Sequence, residues 1–228
     1  MRIVQISSDR LPCPPPRGSA IETFIFNICR GLSRRGHEIH VISLGNEDRI
    51  FEDQGVIFHT FTIKSTFNNI LSKLSSLMSY PNRNIPYLTF TILKLLKDIS
   101  RHYGEIDIIH AHYFTTCIAP IFFKKLTRNQ TKLVLHIHNI PKPNMANNII
   151  ARQYDLLIAV NRYIMLQTLK QLKIPKEKIA TLYNFVDTDF FRFDPLQRKI
   201  FRAKIGLNDN EIALLFVGRL VPQKALHH

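Results

Sequence analysis

Residues 1–44 run MRIVQISSDRLPCPPPRGSAIETFIFNICRGLSRRGHEIHVISL. Residues 3–7 are a short β-rich run. Pro12, Pro14, Pro15, Pro16 and Gly18 then forbid regular structure, because proline lacks the amide hydrogen and glycine admits unusual dihedrals. Ser19 followed by Glu22 has the spacing of a capping box, a helix start. Ile21, Phe24, Ile25, Ile28, Cys29 and Leu32 recur at helical spacing and make one apolar stripe. Arg34 and Arg35 suit the negative end of that helix, and Gly36 suits a left-handed stop. Residues 38–44 read as the next strand. The unit is β-loop-α-β, and its crossover is expected to be right-handed.

The alternation continues along the chain. Strands are expected at residues 56–61, 107–112, 132–138, 156–160, 178–183 and 212–217. Helical stripes are expected at 70–78, cut by Pro81, and at 88–99. Further helices are expected from 115 to 127, bent or begun at Pro120, at 163–172, and at 195–205, ended by Gly206. Residues 139–143, Asn-Ile-Pro-Lys-Pro, read as a loop. Strands alternating with helices imply an α/β fold with a mostly parallel sheet covered on both faces.

Composition sets the outer bounds. The chain has 228 residues, 45% hydrophobic and 21% charged, enough for one large domain or two small ones at roughly 100–200 residues each. Disorder, collagen and coiled coil are excluded. The longest proline-free apolar run, 212–217, is far short of the about 18 residues that cross a bilayer. The N-terminus does not read as a signal peptide, since Ser7, Ser8 and Asp9 break its apolar run. Cys13, Cys29 and Cys117 are widely spaced and form no CxxC, so neither a disulfide framework nor a zinc ribbon is expected, and a reducing cytoplasm is the default.

The formal net charge is +14, from 31 basic and 17 acidic residues. It is uneven: residues 111–204 hold 16 basic and 5 acidic residues, and no Asp or Glu lies between Asp107 and Asp155. Such a field favours anionic partners. No basic-aromatic recognition module is visible, so nucleic acid is not expected. The run 70–78, flanked by Lys64, Lys73 and Arg83, reads first as a helix packed on the sheet and second as a membrane-surface helix.

Ligands of open α/β sheets bind beyond the carboxyl ends of strands. Those tips hold Arg17-Gly18-Ser19, His110-Ala-His112, His136-Ile-His138-Asn139, Asn161, Asn184 and Gly218-Arg219. Gly18-Ser19 opens a helix, whose free amides suit an anion, but neither GxGxxG nor GK[ST] is present. The two HxH pairs put imidazoles on one face of adjacent strands. Four imidazoles invite a metal, yet no carboxylate is near and no metal is expected. One His of each pair is expected to be a satisfied sheet residue, and the tip member, His112 or His138, to face substrate. Arg219 and Lys224, just past a buried strand, suit a diphosphate.

Taken together, these tips resemble the retaining glycosyltransferases of family 4, which have the GT-B fold of two Rossmann-like domains. The matching pieces are Pro16-Arg17-Gly18-Ser19-Ala20, Asp107-Ile-Ile-His-Ala-His112, His138-Asn139, Asp155-Leu-Leu-Ile-Ala-Val160, Tyr183-Asn184-Phe185-Val186-Asp187 and Phe216-Val-Gly-Arg-Leu-Val-Pro-Gln-Lys224. The sequence departs from the family's habit at Ser19 and Phe185, where glycine is common, at Asn161, where serine is common, and at Ala225, again for glycine.

The resemblance implies a Rossmann-like acceptor-side domain over 1–205 and the beginning of a nucleotide-sugar-binding domain over 206–228, the N-terminal half of a truncated GT-B fold. It implies transfer of a sugar from a UDP-, GDP- or ADP-linked donor to a glycan or lipid-linked acceptor hydroxyl with retention, in cell-surface or polysaccharide synthesis. His112, Arg219 and Lys224 would be catalytic. Gly18 and Ser19 would lie by the donor phosphates or acceptor, and Arg17, His138, Asn139, Asn161 and Asn184 would bind substrate. No cofactor is implied. A cytoplasmic enzyme, with peripheral contact to an anionic membrane, fits this reading. The alternative is a non-catalytic acceptor-binding lobe or coat-associated protein lacking the donor domain.

Overall fold

The computed structural model describes residues 1–16, 19–63, 85–128, 130–218 and 220–221. The helical stripe expected over 70–78, with its flanking Lys64, Lys73 and Arg83, lies outside them. The chain divides into two compact units, Met1–Asn184 and Phe185–His228. The boundary read from the sequence, at 205/206, falls inside the second of these units.

The first unit follows the alternation. Strand β1 (Arg2–Ile6) leads to α1 (Ala20–Ser33), β2 (Glu38–Leu44), β3 (Arg49–Asp53) and β4 (Val56–Phe61). Then come α2 (Ile85–Tyr103), β5 (Ile108–Ala111), α3 (Ile118–Thr127), β6 (Lys132–Ile137), α4 (Met145–Gln153), β7 (Leu156–Ala159), α5 (Arg162–Leu172) and, after a 3-10 turn, β8 (Ile179–Thr181). The sheet order is β3-β4-β2-β1-β5-β6-β7-β8. Every pairing is parallel except β3 with β4.

Both sheet faces are apolar, as a buried parallel sheet requires. Ile3, Ile39, Val41 and Phe58 pack with Phe24, Ile25 and Cys29 of α1. The intervening residues Val4, Ile6 and Ile42 belong to a second core with Leu88, Ile92 and Leu96 of α2 and Phe123 of α3. Alternate residues of one strand face opposite sides, so helices cover both. Each fully buried side chain of this kind contributes about 1.5–3 kcal/mol. Helix α1 ends as its sequence predicts: Gly36 takes φ +81 and its N–H donates to the Ser33 carbonyl at 2.9 Å. Helix α3 begins at Ile118, so Pro120 sits in the first turn, where a missing N–H costs little.

Two elements were not expected from the sequence. Strand β3 returns antiparallel on β4 through Gln54 (φ +52) and Gly55 (φ +75). The usual hairpin signal is Asn-Gly or Asp-Gly, and Gln-Gly hides it. Helix α4 is capped by Asn144, whose side chain accepts from the Asn147 N–H at 2.7 Å. Its apolar content is too low for a visible stripe.

The second unit contains α6 (Pro195–Lys204), capped by Asp194, which accepts from the Gln197 N–H at 2.9 Å. Arg198 pairs with Asp209 at 2.8 Å. The strand expected over 212–217 does not form. Those residues make no ladder and stand open, Leu214 at 96% exposure and Leu215 at 83%. A strand exists only through a neighbour that takes up its N–H and C=O groups, and none is present among the described residues.

Helices α3 and α4 are tied at a single buried point. Tyr154, fully buried, follows α4, and its hydroxyl donates to the carbonyl of Cys117, the N-cap of α3, at 2.7 Å. Tyr154→Phe removes this buried bond while the carbonyl keeps its intrahelical one, and is expected to cost about 0.5–1.5 kcal/mol. Urea unfolding will read this as a lower midpoint at unchanged slope.

Candidate functional site

The sheet reverses its winding between β1 and β5, since the chain runs outward from β1 through β2 on one side and from β5 through β6 on the other. Beyond such a switch point the following loops part and leave a crevice. Gln5 of β1 is in register with His110 of β5, and His110 with Val134 of β6. Gln5, His110, His112, His136 and His138 therefore share one face, the face covered by α1.

The four imidazoles form a packed column. Ring centroids lie 4.3 Å apart for His110 and His112, 5.4 Å for His110 and His136, 5.3 Å for His112 and His136, and 4.4 Å for His136 and His138. Phe24 of α1 stands edge-on against His112, His136 and His138. Burial pushes the His110 pKa down to about 3 and that of His136 to about 2, and it lowers His112 far below the usual range. His138 falls to about 4 for the same reason. The column is neutral at physiological pH.

Among the four rings, His112 has both nitrogens in hydrogen bonds and His138 has one. His112 Nε2 lies 2.9 Å from Gln5 Oε1, and its Nδ1 lies 3.1 Å from His138 Nε2. His110 Nε2 and both nitrogens of His136 have no partner. The sequence expectation is thus half reversed. The deep members of the pairs are the unsatisfied ones, and His112, named for substrate contact, is 1% exposed with both nitrogens engaged. His138 is half-buried and lines, with Tyr113 and Asn139, a cavity of about 100 Å³.

Nitrogen atoms of His110, His112 and His136 all lie within 4.8 Å of one another. Ligand lone pairs lie in the ring planes, however, and these planes are close to parallel, 9° between His110 and His136 and 22° between His112 and His136. The lone pairs do not converge, and a tetrahedral site at metal–nitrogen distances of about 2.0–2.1 Å needs the rings to leave the stack.

The other sequence candidates are scattered along the same edge. Ser19 is the N-cap of α1 but makes no side-chain bond to the helix backbone. Its hydroxyl donates to the Glu22 carboxylate instead, and so does that of Ser8. Glu22 is buried, a residue that spacing marked as a cap partner and not as the tie between β1's tip and α1. Asn161 is used structurally: its side-chain oxygen accepts from the Ile164 N–H at 2.8 Å and starts α5. Asn139 and Asn184 are exposed. Arg17, Gly18, Arg219 and Lys224 lie outside the described residues. Gln5 was missed, because a lone glutamine in a strand carries no motif.

The buried imidazoles make stability depend on pH. Below about pH 6.5 the unfolded chain takes up protons on them, and the folded chain does not until far lower. Stability is fully present above about pH 6.5 and is lost as pH falls toward 4. His136→Leu removes two unsatisfied nitrogens. It is expected to leave stability at pH 7 equal or higher and to flatten the acid side of a Tm-against-pH profile.

A sequence model described as Glycosyltransferase Family 4 matches residues 21–190. The chain is 27% identical over 197 residues to N-acetyl-alpha-D-glucosaminyl L-malate synthase of Bacillus anthracis, covering 82% of this chain and 47% of that protein. It is 26% identical over 138 residues to D-inositol 3-phosphate glycosyltransferase of Nocardioides sp., covering 54% and 29%. Among solved structures it resembles a glycosyltransferase from Rickettsia africae, with TM-score 0.64 at 17% identity, over 92% of this chain and 50% of that one. It also resembles Anabaena Alr3699/HepE in complex with UDP and glucose, with TM-score 0.59 at 18% identity, over 100% and 56%. The chain spans about half the length of the first of these relatives and of both solved structures. With strands β2 to β8 and helices α2 to α5 inside the matched residues, the chain belongs to Glycosyltransferase Family 4.

Proposed function

We propose that this chain is the acceptor-side lobe of a glycosyltransferase that moves a sugar from a nucleotide-diphosphate donor to an acceptor hydroxyl with retention. The observation that carries the reading is the cavity at the β5 and β6 tips, lined by His112, His138 and Asn139 among apolar neighbours, beside the switch point. Structures of this fold have been solved with UDP-glucose and with ADP and acarbose. Sugar recognition needs neutral donors and acceptors in a largely dry site, and the column of uncharged imidazoles supplies that setting.

Each residue then has a role. Arg219 and Lys224 offset charge growing on the leaving diphosphate, the kind of electrostatic effect that dominates such chemistry. Ser19 caps α1, whose first amides favour an anion, and Gly18 is assigned to the same donor-phosphate or acceptor contact. His138 and Asn139 meet substrate hydroxyls, and His112 acts behind His138. Arg17 and Asn184 bind substrate. The acceptor is an anionic polyol or carboxylate, as the names of the malate and inositol-phosphate relatives suggest, and it is drawn in by the basic segment 111–204.

A contact with anionic lipid has one supporting surface. On α3, Phe122 is 48% exposed and Leu126 is 60% exposed, beside exposed Lys125 and Arg128. Lys124 is held by Asp155 at 2.9 Å and is not part of it. Among the described residues, no helix is long and apolar enough to cross a membrane.

The test is transfer by a protein carrying residues 1–228, offered UDP-, GDP- and ADP-linked sugars with L-malate and inositol phosphate. One donor is expected to be consumed, with an α-linked product by NMR from an α-linked donor. Arg219→Ala is expected to lower kcat about 10²–10³-fold, the usual scale for losing one such group. Undiminished kcat removes the role of Arg219, and a β-linked product removes retention. In parallel, the double substitution of Lys125 and Arg128 by Gln is expected to weaken sedimentation with anionic vesicles. Unchanged sedimentation removes the lipid contact.

A further inference from the structure

Gln5 stands at the centre of the sheet, on the strand that lies between β2 and β5, and its side chain is 1% exposed. Its amide oxygen lies 2.9 Å from His112 Nε2. An amide oxygen only accepts hydrogen bonds. His112 must therefore carry its proton on Nε2, and a neutral imidazole so protonated has its lone pair on Nδ1. That lone pair lies 3.1 Å from His138 Nε2, which must in turn carry the His138 proton. The lone pair of His138 is left on Nδ1, which has no hydrogen-bond partner among the described residues. One fixed dipole at Gln5 thus sets the direction of two successive hydrogen bonds and ends in an acceptor.

That acceptor belongs to a ring at the cavity of about 100 Å³. A space of that size admits a hydroxyl or a hydroxymethyl arm. Asn139 on the same rim adds amide donors. The stacked neighbours keep the ring from turning: His136 lies 4.4 Å away at 11°, and Tyr113 lies 6.3 Å away at 27°. A hydroxyl that enters meets an oriented lone pair.

We propose that Gln5 is a positioning residue which, through His112, fixes the proton on His138 Nε2, so that His138 Nδ1 accepts a hydroxyl of the sugar substrate. The substrate half of this inference rests on the glycosyltransferase reading; the proton arrangement does not. His112, with both ring nitrogens engaged, is then the relay, although its ring also lines the cavity. Replacing Gln5 by a side chain without an acceptor frees His112 to hold its proton on either nitrogen. In half of the resulting arrangements His138 presents N–H to the cavity, which turns a hydroxyl acceptor into a donor.

Long-range proton–nitrogen NMR on the ¹⁵N-labelled 228-residue chain at pH 8 reads imidazole tautomers directly. In the wild-type chain both His112 and His138 are expected to be protonated on Nε2. A proton on Nδ1 of either overturns the proposal, and this measurement needs no variant to fold. Gln5→Met, close in shape and lacking the acceptor, is expected to give mixed tautomers at both rings. A pure Nε2 tautomer persisting at His138 overturns the role of Gln5. Titration of a protein carrying residues 1–228 with UDP-glucose is expected to move the His138 Nδ1 resonance, with affinity about tenfold weaker in Gln5→Met, the scale of one hydrogen bond. UDP-glucose that binds and leaves His138 Nδ1 unmoved overturns the substrate half. A protein carrying residues 1–228 that binds no nucleotide sugar, with the tautomers as expected, overturns the glycosyltransferase reading and leaves the relay standing.

Discussion

The parallel pairing of β1 between β2 and β5 is the constraint on which the rest depends. A strand in that place has no solvent on either face, so its side chains must meet partners above and below. Ile3, Val4 and Ile6 meet apolar ones. Gln5 is the exception, and a buried amide without a hydrogen bond costs too much to keep. The register that sets Gln5 beside His110 also brings it within reach of His112. The polar seam of the molecule begins there and runs sideways across β5 and β6 to the cavity beside His138.

That seam costs stability. Three imidazole nitrogens lie buried without partners in the described structure, and each unsatisfied group is unfavourable by about 1–3 kcal/mol. An apolar sheet would be more stable. The arrangement makes sense as a set of neutral groups held rigid where charge would be harmful: a protonated imidazole beside three others is strongly disfavoured, so the column remains uncharged and its hydrogen bonds keep one direction. Rigidity comes from stacking and from Phe24, which ties the column to α1. Helix α1 in turn carries Ser19 and Glu22 at its start, and Glu22 takes the Ser8 hydroxyl from the tip of β1. The loop between residues 8 and 19 is thus fastened at both ends to the same seam.

Legibility from the sequence followed the strength of the local signal. Helix α1 has a full apolar stripe, a start and a stop, and it formed over Ala20–Ser33 as its pattern required. Strand β3 had neither alternation nor a standard turn, and α4 had too few apolar residues, so both were invisible. Residues 212–217 carry the most apolar run in the chain and form no strand, because hydrophobicity marks a segment that wants cover without providing the partner. At the site, the HxH pairs were conspicuous, and period two put all four rings on one face. Which ring faces out was not conspicuous. Position near a tip suggested His112, and the Gln5 side chain, 107 residues away in sequence, occupies it instead.

The sequence by itself determined the α/β alternation, the faces of the strands, the family and the polar, basic character of the strand tips. These follow from periodicity and composition, which act over a few residues. The tertiary structure decided strand order, the switch point at β1 and β5, the burial of His112 and the use of Asn161 as a cap. It also decided that Glu22 fastens two segments and that Gln5 governs two histidines. Those outcomes depend on contacts between residues far apart along the chain, and pairing register, which no single segment encodes, is what brings them together.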